Sequence, residues 1–149
     1  MNNKLKFTIR DTDGARNRQV EIEGYKKNNL SVISFSKLRA FFEMNKQSYG
    51  LDYQIKFCDS KLSPGGGVAH AFTCITLKDN NNYINDFIGE ITDAEMDSDI
   101  SRNHPLCCAL NRAMSAGLIA YFGFGEKVYT TAQLNYTEVQ ENASEETKE

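Results

Sequence analysis

Two histidines, two prolines and four cysteines are all that this 149-residue chain holds of those types. No apolar run approaches the roughly 18 residues of a membrane span, so no transmembrane segment is expected. Cys58, Cys74, Cys107 and Cys108 show no C-x-x-C spacing. That argues against both a zinc site and a disulfide framework, and for intracellular thiols packed as small hydrophobes. His70 and His104 fall on different predicted elements, with no Cys or carboxylate pattern beside them, so neither metal nor cofactor is expected. His104 stands where it would cap a helix. Gly65-Gly66-Gly67 lacks the Lys-Ser/Thr of a phosphate loop and enters a strand, which makes it a flexible hairpin tip. The acidic run Asp93 to Asp99 lacks the spacing and glycine of a calcium loop. The start, MNNKLKFTIR, has no apolar h-region, so secretion is not expected.

Cys107 and Cys108 open a helix, where a thiolate is favoured, and His104 is near in sequence. Two cysteines one position apart cannot face one site, and adjacency is not catalytic geometry. The chain therefore reads as a non-enzyme. An enzyme using either cysteine stays open as an alternative.

The net charge is −3, but it is uneven. Five glutamates against Lys148 leave −4 in residues 137–149, and +1 in residues 1–136. The sequence predicts one domain over 1–136 and an acidic, disordered tail over 137–149. The tail reads as a solubiliser, as a docking site for a partner, or as a competitor for the protein's own basic groove.

Leu5, Phe7 and Ile9 alternate with polar residues, as do Val20 and Ile22, which predicts a hairpin turning at Asp11-Thr12-Asp13-Gly14. Residues 26–29 read as a loop. Helical spacing over 34–48 predicts a helix with Ser34 as cap and Gly50 as stop. Three strands follow. In the first, Tyr53, Ile55 and Phe57 are expected on one side and Gln54, Lys56 and Cys58 on the other. Then come 68–78, the turn Asp79-Asn80-Asn81-Asn82, and 83–91. Thr92 to Asn103 is expected to be a mobile connector, or one ordered on assembly. A helix is predicted at 105–122, with Pro105 at its start and Leu106, Leu110, Ala113, Met114, Gly117 and Tyr121 as its apolar stripe. A short final strand is expected at 128–130. The fold class is α+β: an antiparallel sheet packed with a long C-terminal helix and one N-terminal helix.

Lys56, Lys61, Lys78, Arg102, Arg112 and Lys127 lie on or beside these elements, with Tyr53, Phe57, Phe72, Tyr83 and Phe87 on the strands. Basic side chains track phosphates while bases stack on aromatic rings, so these residues are the candidate nucleic-acid site.

The segment Cys108-Ala109-Leu110-Asn111-Arg112-Ala113-Met114 resembles the A-L-K-R-A-L helix of the phage and nuclear single-strand annealing proteins, the Sak, Erf and Rad type. Gly117-Leu118-Ile119-Ala120-Tyr121-Phe122-Gly123-Phe124-Gly125-Glu126 is similar to a Gly-rich aromatic run in a small phage branch of that family. Phe87-Ile88-Gly89-Glu90 looks like its hairpin strand that ends in a glycine. The resemblance covers roughly residues 34–130. It implies a β-β-β-α core, assembly into rings or filaments, and single-stranded DNA held between sheet and helix without ATP hydrolysis. It places Arg112 at a basic groove position, while Asn111 stands where the family usually has Lys. The implied setting is a bacterial cytoplasm during phage recombination. Further partners would be a host or phage single-strand-binding protein or nuclease, met through the acidic tail. The alternative function is a small partner-binding or inhibitory protein of a mobile element, without nucleic-acid activity.

Overall fold

Leu5, Phe7 and Ile9 point one way and Lys4, Lys6 and Thr8 the other along β1 (Lys4–Arg10). β1 pairs antiparallel with β2 (Asn17–Lys27), as the alternation predicts. In this computed structural model, residues 3–96 and 99–134 are described. The acidic tail of 137–149 lies outside them.

The expected loop at 26–29 is a correction. Lys26 and Lys27 finish β2, and Asn28-Asn29 form a two-residue turn into β3 (Leu30–Ile33). Asn28 sits at φ 55, a conformation asparagine tolerates. β3 escaped the pattern because Val32 and Ile33 are both buried, which erases the alternation that marks a half-exposed strand. The final strand β7 (Val128–Thr130) pairs parallel with β3, giving a four-stranded sheet in the order β1-β2-β3-β7.

Helix α1 (Phe35–Tyr49) buries Leu38, Phe42 and Tyr49. Ser34 holds the cap position without capping, its hydroxyl lying 3.1 Å from that of Ser36. Gly50 closes the helix at φ 67, where it needs no Cβ. The chain then forms an antiparallel meander: β4 (Leu51–Leu62), β5 (Val68–Asp79) and β6 (Asn82–Thr92). The turn between β5 and β6 has Asn80 and Asn81 at φ 50 and 67, as a tight primed hairpin requires.

The connector after β6 carries short helical turns where it is described. A 3-10 turn spans Asp93–Glu95, Met96 is buried, and α2 covers Asp99–Asn103. Helix α3 (Pro105–Phe122) follows, with His104 at the cap position but making no cap bond. α3 crosses β5 and β6 at close range. A Cβ on Gly89 would collide with the carbonyl oxygen of Ala109 and the nitrogen of Ala113. Gly89 is thus a seat for the helix inside β6, which runs on to Thr92. On the helix side, Gly117 leaves room for Leu77 and Phe87.

The buried face of α3 is wider than the expected stripe. It includes Ala109, Ser115, Leu118 and Phe122, while Leu106 is exposed. The reason is that α3 packs on two sides. One apolar cluster joins Ile9, Val20 and Ile22 of the first sheet, Leu38 and Phe42 of α1, Ile75 and Leu77 of the second sheet, and Met114, Leu118 and Phe122 of α3. The fold is α+β, with the antiparallel β-β-β-α unit in its second half. Among the described residues no helix is long and apolar enough to cross a membrane.

Candidate nucleic-acid interface

The second sheet has one face under α3 and one open face. Thr73, Ile75 and Leu77 face the helix. His70, Phe72, Cys74 and Thr76 face away, opposite Asp86, Ile88 and Glu90 of β6. A bulge at Lys56 changes what β4 adds: Ile55 pairs with Ile75, and Phe57, two residues on, pairs with Cys74. The strict alternation expected of Tyr53, Ile55 and Phe57 therefore breaks, and Phe57 reaches the open face. There it meets Phe72 edge-on, with ring centres 6.0 Å apart.

Six basic residues were the sequence's candidates, and the structure does not gather them into one groove. Lys56 reaches Asp86 at 2.7 Å, and Asp86 also accepts a hydrogen bond from the Thr76 hydroxyl at 2.7 Å. The Lys56 bond, then that of Thr76, holds the Asp86 carboxyl below its usual range. Arg102 sits on α2, 3.3 Å from Asp93. Lys61, on β4, is exposed; Lys78, beside the bulge that opens the β5–β6 turn, is half-buried; Lys127, at φ 58, precedes β7 and is exposed. None of these three has an ion pair among the described residues.

Arg112 differs most from its expected setting as an exposed groove residue. Its side chain is only 12% exposed. Nε donates to the carbonyl of Ala132 at 3.0 Å, and Nη1 donates to the carbonyl of Glu90 at 2.9 Å and to Glu95 Oε2 at 2.7 Å. Glu95 Oε1 accepts from the backbone N–H and hydroxyl of Thr92. Burial pushes the Glu95 carboxyl up, but the bonds from Arg112 and Thr92 outweigh it and hold the group below the usual range. Arg112 therefore ties α3, the end of β6, the 3-10 turn and the segment after β7 together. Beside it, the buried Oδ1 of Asn111 has no hydrogen-bond partner among the described residues.

The five candidate stacking rings divide. Tyr53 and Phe87 pack against the core, and Tyr53 lies 6.0 Å from Phe42. Phe57 and Phe72 share the open face, and Tyr83 stands exposed on β6. Exposed Ile55 and Leu62 on β4, with Ile84 and Ile88 on β6, leave both outer strands of this sheet with apolar side chains in solvent.

Sequence reasoning missed where the positive charge lies. Residues 1–50 carry ten Lys and Arg against five Asp and Glu, a net of +5. Residues 51–136 carry six against ten, a net of −4, and all six candidates fall there. Counting charge by halves would have found this. Lys4, Lys26 and Arg39 are exposed and make no ion pair among the described residues.

Cys107 is exposed, and burial, with the neighbouring Cys107 adding to it, pushes the Cys108 thiol up. A polar cavity of about 240 Å³ lies where Arg10, Tyr49, Asp79 and Tyr121 meet. Tyr121 donates to Asp79 Oδ2 at 2.9 Å, and Arg10 lies 4.9 Å over its ring. Burial and then the Asp79 bond push the Tyr121 phenol up to about 12, so it exchanges no proton near neutrality. Among the described residues, no group of three or more His, Cys, Asp or Glu could hold a metal ion. No protein-family model, no curated protein and no solved structure matches this chain.

Proposed function

We propose that the protein binds single-stranded DNA and promotes pairing of complementary strands as a self-assembled homo-oligomer. The observation that carries the reading is the β4-β5-β6-α3 unit with both outer strands open. β4 and β6 are 12 and 11 residues long, and each exposes apolar side chains along an unpaired edge. Long open edges of this kind are templates for further strands, and a monomer leaves them unsatisfied. The order of elements is also the one on which the resemblance to the annealing proteins rests. Phosphates would find net positive charge on the half built from β1, β2 and α1, through Lys4, Lys26 and Arg39. Lys61, Lys78 and Lys127, which make no ion pair among the described residues, would add to such contacts. A bacterial cytoplasm is the proposed setting.

The second reading is a partner-binding or inhibitory protein. It is favoured by the bonds that already occupy Lys56, Arg102 and Arg112, and by the net −4 of residues 51–136.

Solution mass by light scattering, with and without a single-stranded oligonucleotide at low salt, separates the two. The expected result is a multiple of 16.8 kDa and a bound oligonucleotide. Lys26→Glu with Arg39→Glu should weaken binding for all sequences and flatten the salt slope by about one unit per lost contact, whereas Lys56→Ala should not. A 16.8 kDa species in both conditions would count against assembly. Assembly without any oligonucleotide shift would leave the partner-binding reading.

A further inference from the structure

One edge of β2 is unfinished. β1 covers one side of Asn17–Glu23, whereas β3 covers the other side only from Gly24 to Lys27. Backbone groups alternate sides along an antiparallel strand. Gly24 N–H donates to the Asn3 carbonyl, so even-numbered residues of β2 turn to β1. The Glu23 carbonyl accepts from Ser34 N–H, so odd-numbered residues turn away. The N–H and C=O of Gln19 and Glu21 thus face the side that β3 does not reach, with no backbone partner among the described residues. On that side β2 and α1 bound a groove of about 370 Å³. Ile22, Ala40 and Phe41 give it an apolar lining, Met44 is 82% exposed at its rim, and Lys4 and Lys37 flank it together with Glu21 and Glu23, Lys37 lying 3.8 Å from Glu23. An open strand edge beside apolar side chains is how a fold accepts an extended peptide as an added strand.

The chain itself supplies a fitting occupant. Residues 137–149 carry a net −4, and the half that forms the groove a net +5. The described chain also passes the groove's end. Thr131 N–H donates to the Ile33 carbonyl at 2.9 Å, and Thr131 Oγ1 accepts from Phe35 N–H at 3.0 Å, two residues before Lys37. Residues 135–149, fully extended, reach up to about 50 Å. They include Tyr136-Thr137-Glu138-Val139, in which three of four residues favour strands.

We propose that the acidic C-terminal segment, residues 135–149, docks in this groove as an added strand on the open edge of β2. This assignment does not depend on nucleic-acid binding.

Amide hydrogen exchange, read by NMR on the full chain, tests it. At low salt the Gln19 and Glu21 amides should exchange at least about tenfold slower than unprotected amides, and rising salt should erode that protection because the attraction is screened. The variant Glu138→Gln, Glu141→Gln, Glu145→Gln, Glu146→Gln should lose it. The Val20 amide, which faces β1, should stay protected throughout and so reports that the hairpin is folded. Unprotected Gln19 and Glu21 amides in the unaltered chain at low salt overturn the proposal. Protection unchanged in the glutamine variant overturns it too; if it then grows with protein concentration, the occupant is a second copy.

Discussion

Gly89→Ala is expected to cost about 3 kcal/mol or more, lowering the thermal midpoint by roughly 10 °C, or to stop the chain folding. The added methyl would enter the backbone of α3 at the Ala109 carbonyl oxygen and the Ala113 nitrogen, with the Arg112 carbonyl carbon only 3.0 Å away. A clash with a flexible side chain is relieved by a rotamer change. A clash with helix backbone moves the whole helix, and α3 is held elsewhere by its own Leu118 and Phe122, which pack into the core cluster, Phe122 with its ring centre 5.1 Å from that of Phe41 of α1. Gly65→Ala is the control, since nothing lies within 4 Å of that added carbon. Thermal unfolding followed by circular dichroism reads both. A Gly89→Ala midpoint within about 1 °C of the unaltered protein would mean that α3 does not sit where described.

Arg112→Ala is expected to destabilise the fold by about 3 kcal/mol, the order seen when one partner of a buried ion pair is removed. Three acceptors lose their donor at once: the carbonyls of Ala132 and Glu90, and the Glu95 carboxylate. Arg112→Lys keeps the charge but not the fork of donors, so it should recover only part of the loss. The pH dependence follows from Glu95. Its carboxyl is held below its ordinary value in the folded chain, so its contribution is present above that value and is lost as pH falls through the lower, folded one. Glu95→Gln should flatten that acid limb. Urea unfolding of the three variants between about pH 3 and 7 measures this. An Arg112→Ala protein as stable as the unaltered one, with weakened oligonucleotide binding, would restore the exposed groove contact that the helix position suggested.

The second half of the fold was legible because its signals are local. β-branched and aromatic residues mark β5, two asparagines make the turn into β6, and Pro105 and Gly123 bracket α3. The Lys56 bulge left no mark, because a bulge inserts one residue without changing composition. Arg112 was misread for a different reason. Helical spacing shows only that it lies off the main stripe. Its partners come from the 3-10 turn, the end of β6 and residue 132, none of which helical spacing can bring to it. The charge division between the halves was present in the sequence throughout and needed only counting. Pairing of Lys56 with Asp86, 30 residues apart, needed the strand register.

β3 and β7 pair in parallel although about 100 residues separate them. Beside that pairing, the hydroxyls of Ser115 and Thr130 meet at 2.6 Å in the interior. During synthesis, the β1–β2–β3 segment emerges first and can close its two hairpins from local contacts alone. Its sheet gains the fourth strand only after all of β4 to α3 has been made. Until then β3 waits with an open side, exposed to chaperones or to other nascent chains. Folding should accordingly show a slow phase that reports β7 docking, and Thr130→Val should change its rate more than that of hairpin formation.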